Sequence, residues 1–91
     1  MQGWSVWLRG LSPENTFEAL RLFEAAVARD PDSLRAWSGL GLMNGQAATH
    51  GWLPDPAPAR ARQREALRQM ERIDGDDMLT WFARVDPYYR Q

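Results

Sequence analysis

Residues 19–44 read ALRLFEAAVARDPDSLRAWSGLGLMN, and this stretch decides the fold. Its left half carries Leu20, Phe23 and Val27 with Ala19 and Ala26 alongside. Steps of three and four place such residues on one face of a helix. Asp30-Pro31-Asp32-Ser33 then interrupts the pattern. A residue before proline avoids the α region, and Asp32 or Ser33 can cap whatever follows. The right half resumes with Leu34, Trp37, Leu40, Gly41 and Asn44 on one face. The stretch therefore reads as the end of one helix, a tight turn and the start of a second.

Working outward, Ser12-Pro13-Glu14 marks where the first of these helices begins. Serine is a good N-cap, proline suits the first helical position, and a carboxylate suits the positive end of the helix dipole. Phe17 extends the apolar row, and the helix should cover 13–29. Ahead of it, Trp4, Trp7, Leu8 and Leu11 predict a short helix over 4–11. The helix that starts at Leu34 should run to about residue 48. Residues 49–58 hold Gly51, Pro54, Pro56 and Pro58 and read as an inserted loop. A fourth helix over 59–73 follows, with Leu67, Met70 and Ile73 as its apolar row. Gly75 suits the C′ position after it, and Asp76 or Asp77 suits the next cap. A fifth helix over 78–85 ends ahead of Pro87. No alternating segment is long enough for a strand, so the chain should be one all-α domain of about five helices.

Composition excludes several functional classes. The 91 residues carry a net charge of −1, which gives no overall attraction to nucleic acid or to an anionic membrane. All 11 basic residues are arginine, so Schiff-base chemistry on lysine is ruled out. There is no cysteine, hence no disulfide, thiol nucleophile or cysteine-held zinc. No apolar run approaches the length of a membrane span, and the N-terminus lacks a signal-peptide pattern, so a cytoplasmic location is expected. His50, the single histidine, sits beside Gly51 without a recognisable partner and reads as an exposed loop residue. Asp74-Gly75-Asp76-Asp77 fails the calcium-loop pattern, because Leu79 and Val85 stand where glycine and glutamate are required. No catalytic residue, metal site or cofactor is therefore expected, and the chain should not be an enzyme.

The central stretch resembles the tetratricopeptide repeat, a 34-residue helix-turn-helix with W-x2-L-G-x2-Y, A-x3-F and P signatures. Here Ala19-x3-Phe23-x2-Ala26-x4-Pro31 is followed by Trp37-x2-Leu40-Gly41-x2-Asn44, with asparagine in place of tyrosine. Small Ala and Gly allow helices to approach, while Trp, Leu and Phe fill the space beside them. On this register Gly41 should sit at a close approach and Gly39 on a less crowded side. Pro31 and Gly75 stand 44 residues apart, and so do Trp37 and Trp81. The unit is thus longer than the standard repeat, with the excess in the Pro-rich loop. Together with Gly51-Trp52-Leu53-Pro54-Asp55-Pro56, the pattern looks like degenerate repeat regions of bacterial winged-helix transcription regulators and class III nucleotide cyclases.

That resemblance implies a protein-protein interaction scaffold in bacterial signalling or transcription regulation. Its partner peptide or domain would lie on the helix A face, here Ser5, Arg9, Arg35, Ser38, Leu42, Leu79 and Phe82. The alternative is a small-molecule sensor, with the ligand enclosed by the groove and the 49–58 loop. Trp4, Trp7, Trp37 and Trp81 take helix A core positions, whereas Trp52 either anchors its loop or projects toward a partner. Arg60, Arg64, Arg68 and Arg72 recur every four residues and could receive an anionic partner, or could be a solvated face balanced by Glu65, Glu71 and Asp74. No nucleic-acid or membrane partner is expected. Leu79 and Phe82 have no later hairpin to shelter them, so the C-terminal helix should meet another chain, as a homodimer or as the downstream part of a longer protein.

Overall fold

The structure is a computed structural model that describes residues 12–85. These residues form four helices joined by turns, with no strand among them: α1 Pro13–Arg29, α2 Leu34–Thr49, α3 Ala57–Asp74 and α4 Met78–Val85. The helix expected over 4–11 lies outside the described residues.

Local chemistry accounts for most helix ends. Ser12 Oγ accepts from Asn15 N at 3.1 Å and caps α1, with Pro13 in its first turn. Ser33 Oγ accepts from Ala36 N at 3.2 Å and caps α2. Helix α3 starts two residues earlier than the proline count suggests. Pro58 falls in its first turn, where the missing N–H leaves no bond unmade. The Asp55 carboxylate accepts from Ala57 N at 3.0 Å just ahead of it. The inserted loop is correspondingly shorter than 49–58, because α2 also continues through Thr49.

Helix α2 ends in a Schellman motif. Gly51 takes φ +71°, Gly51 N donates to Ala48 O at 3.4 Å, and Trp52 N donates to Ala47 O at 3.1 Å. Gly75 behaves differently from expectation. Its φ of −66° is right-handed, so α3 ends without a left-handed glycine.

The two short turns are copies of one another. In the first, Asp32 N donates to Asp30 Oδ1 and Ser33 N donates to Asp30 O. In the second, Asp76 N donates to Asp74 Oδ1 and Asp77 N donates to Asp74 O. Each bond recurs 44 residues later. The helix starts repeat at the same interval, Pro13 with Ala57 and Leu34 with Met78.

The core gathers Ala19, Phe23 and Val27 of α1, Ala36, Trp37, Leu40 and Met43 of α2, Ala66 and Met70 of α3, and Ala83 of α4. Helix α2 is the central element, buried along most of its length between α1 and α3. Phe23 and Gly39 meet at about equal distance from the turn, so α1 and α2 double back on each other. Arg72, near the end of α3, reaches Asp32 and Pro31 at the start of α2, so α3 doubles back in turn. Helix α4 packs on both α2 and α3. Thr80 is fully buried there, and its hydroxyl donates to Asp74 O at 2.8 Å.

Three side-chain expectations are corrected. Phe17 is exposed, and Thr16 one residue earlier occupies the buried row of α1. Trp81 is 54% exposed instead of core, whereas Trp37 is only 7% exposed. Gly39, not a roomy position, lies against the Phe23 ring: a Cβ there would stand 2.3 Å from two ring carbons. Gly41 is buried as well. Asn44, the departure from the tyrosine signature, is satisfied within its own helix by donating to Leu40 O at 2.9 Å.

Candidate functional site

The residues expected to bind a partner fall on two helices among the described residues. On α2, Arg35, Ser38 and Leu42 follow one another at three and four residues, which keeps them on one side. Arg35 is exposed, while Ser38 and Leu42 are half-buried, Leu42 against the core. On α4, Leu79 and Phe82 take the positions 44 residues beyond Arg35 and Ser38, and both are exposed. Ser5 and Arg9 lie outside the described residues.

The arginine row of α3 is not a continuous free face. Arg60 is half-buried, and its buried Nη1 has no hydrogen-bond partner. Arg64 is exposed and makes no ion pair among the described residues. Arg68 pairs with Glu65 at 2.7 Å. Arg72 donates to Asp32 Oδ1 and to Pro31 O, each at 3.0 Å, and so pins α3 to the first turn. A spacing of four keeps residues on a slowly winding stripe, and two of these four are drawn into contacts before that stripe can present them together.

Sequence reading missed the arginine with the strongest structural role. Arg62 makes a two-pronged pair with Glu24 of α1, Nη2 to Oε1 at 2.6 Å and Nε to Oε2 at 3.0 Å. Its guanidinium also lies 5.3 Å above the Trp37 ring, a cation-π distance. One residue of α3 thus touches both α1 and α2. The hydrogen bond it donates to Glu24 raises its pKa, against the lowering effect of burial and with further help from the Glu24 charge. The Glu65 carboxyl is held below its usual value, first by the hydrogen bond with Gln69 and then by that with Arg68. No signal within α3 singles out Arg62, because its partners lie 38 and 25 residues away in sequence.

The loop after α2 packs on itself. The His50 ring stacks on Trp52 at 4.9 Å with 22° between planes, and His50 Nε2 lies 2.9 Å from Gln46 Oε1. Trp52 is half-buried and stacked on His50 of the same loop. His50 is exposed, as read from sequence, yet it has these two neighbours.

Among the described residues, exposed large apolar side chains concentrate on α4. Met78 is 70% exposed, and Trp81, Phe82 and Val85 are exposed with it. The Trp81 and Phe82 rings meet edge to face at 5.5 Å. Met78, Trp81 and Phe82, with Asp76, line an open depression of about 500 Å³. Such a surface can bury an apolar side chain, with one carboxylate at its rim. Among the described residues no group of three or more His, Asp or Glu side chains is placed to hold a metal ion, and no helix is long and apolar enough to cross a membrane. Comparison with known proteins finds no matching family, no matching curated protein and no matching solved structure.

Proposed function

We propose that this chain is a tetratricopeptide-like helical-hairpin module that binds a partner peptide or domain through its helix A face, in a bacterial signalling or regulatory setting. The observation that carries the reading is the internal repeat. The turns at residues 30–33 and 74–77 make the same bonds, and the helices after them start 44 residues apart. Helix α4 packs on both helices of the hairpin before it, as stacked hairpins do. On this register α1 and α3 are the B helices, and α2 and α4 are the A helices. The A helices then present Arg35, Ser38, Leu42, Leu79 and Phe82 as a groove with one basic end and one apolar end. Such a groove suits an extended or helical segment carrying an acidic residue beside an apolar anchor. The described lining of the depression on α4 comes from Asp76, Met78, Trp81 and Phe82 and not from the 49–58 loop.

Selection of a displayed peptide library on the immobilised chain tests this reading. Enriched peptides should lose binding to both the Arg35→Glu and the Leu79→Glu variants while those variants stay helical. Enrichment insensitive to both changes, or no enrichment at all, would reject the groove.

A further inference from the structure

The repeat allows each position of α4 to be compared with its counterpart in α2. On the inner side two pairs agree, while fully buried Leu40 has the exposed Arg84 as its counterpart. Ala36 and its counterpart Thr80 are fully buried, and Gly39 and its counterpart Ala83 are buried too. On the outer side they diverge. Trp37 is 7% exposed and Trp81 54%. Leu34 is half-buried and Met78 is 70% exposed. Gly41 is buried and Val85 is exposed. For Trp37 the difference has a visible cause in α3. That helix doubles back along α2 and sets Arg62 over Trp37. The outer side of α4 is therefore the side on which an oppositely running helix lies in the first unit.

We propose that this side of α4 is a self-association surface, on which α4 of a second copy of this chain lies antiparallel. The seam is Met78, Trp81, Phe82 and Val85, at steps of three, four and seven residues, the spacing that lets two helices interlock. The edge-to-face Trp81–Phe82 pair forms one wall of the depression, and its floor can receive an apolar side chain from the second copy. Charge selects the direction. Asp74, Asp76 and Asp77 cluster at the start of α4, and Arg84 sits at its end. Arg84 is paired with Glu71 of its own chain at 3.1 Å but stays exposed, and a guanidinium has donors enough for a second carboxylate. An antiparallel pair brings each acidic end beside the other copy's arginine and opposes the two helix dipoles. A parallel pair would set like charges side by side. The seam shares Phe82 with the apolar end of the groove, whereas Met78, Trp81 and Val85 lie outside it, so the Met78 and Trp81 variants test the dimer independently of peptide binding.

Sedimentation of the full chain over a concentration series tests the proposal. The expected result is reversible conversion from the 10.4 kDa chain to twice that mass. Trp81→Glu and, separately, Met78→Glu should abolish the conversion while helicity is kept, and Arg35→Glu should leave it intact. Direction is read by cross-linking, because the chain has no cysteine of its own. In the antiparallel pair position 82 lies near the twofold axis, and position 78 lies opposite position 85. Phe82→Cys should cross-link with itself, and Met78→Cys should cross-link with Val85→Cys but poorly with itself. A single species at the chain mass up to about millimolar concentration would overturn the proposal. So would a dimer indifferent to both glutamate variants, or one in which Met78→Cys pairs with itself best.

Discussion

Gly39→Ala is expected to destabilise the fold, although alanine is the better helix former. The added Cβ would stand 2.3 Å from two carbons of the Phe23 ring and 2.7 Å from a third. Ordinary contact begins at 3.4 Å, so the ring must withdraw by about 1 Å. Phe23 is fully buried with Ala19 and Leu40 in the same cluster, so the displacement passes into the core. Overpacking of this kind costs about 1–3 kcal/mol, and the gain in helix propensity offsets up to about 1 kcal/mol. An overlap this deep belongs at the upper end, leaving a net loss of about 1–2 kcal/mol. For a domain of this size that lowers Tm by roughly 5–15 °C. The assay is thermal and denaturant unfolding followed by far-UV circular dichroism, run as a double-mutant cycle with Phe23→Leu. Gly39→Ala should cost much less once the ring is gone, with a coupling of about 1–2 kcal/mol. A neutral or stabilising Gly39→Ala, or strict additivity with Phe23→Leu, would refute the packing of α1 on α2.

The two loop glycines should separate. Gly51→Ala is expected to cost about 1–2 kcal/mol in denaturant unfolding, because φ is +71° there and nothing crowds a Cβ. Gly75→Ala should be nearly neutral in the same assay, with a right-handed φ and its nearest neighbour at 3.4 Å. Ser33→Ala should cost about 1 kcal/mol through the lost cap of α2, read as a lower unfolding midpoint. Glu65 has a lowered pKa in the folded state, so the unfolded chain binds its proton more readily. Its contribution is therefore present above the unfolded value of about 4.3 and is lost as pH falls through the folded value. Gln69→Ala should flatten this acid dependence in Tm measured against pH, by a small amount because the pair is largely solvated.

The readable parts of this sequence were those decided within a few residues. Ser12 with Pro13, and Asp30 through Ser33, carry their own capping chemistry, and those helix ends fell where expected. The Gly51 motif is equally local, a glycine just past a helix, but the prolines that follow it give the stretch the signature of an irregular loop. Errors came where burial depends on a neighbour far along the chain. Trp37 and Trp81 have the same setting in sequence, and one is covered because α3 follows it. Gly39 and Gly41 both lie on a helix enclosed on two sides, and a pattern on α2 alone does not say which of them meets Phe23. Thr16 is apolar enough along its methyl side to replace Phe17 in the buried row, a choice that periodicity leaves open by one residue. The arginine spacing likewise said nothing of Glu24 and Asp32, which intercept Arg62 and Arg72 from α1 and the first turn.

Helix α4 buries Thr80 and Ala83 as α2 buries Ala36 and Gly39, and leaves Trp81 exposed where α2 covers Trp37. Solvent access of the two equivalent indoles, followed against protein concentration, measures this most directly. The Trp37 indole N–H donates to Pro31 O at 2.7 Å, whereas Trp81 is 54% exposed. With Trp37→Phe and Trp81→Phe variants to assign the two resonances among the five indoles, a soluble paramagnetic probe should leave Trp37 untouched at every concentration. It should broaden Trp81 strongly in dilute solution and progressively less as the second copy binds. A Trp81 indole shielded at the lowest concentration, or a Trp37 indole as accessible as Trp81, would contradict the account.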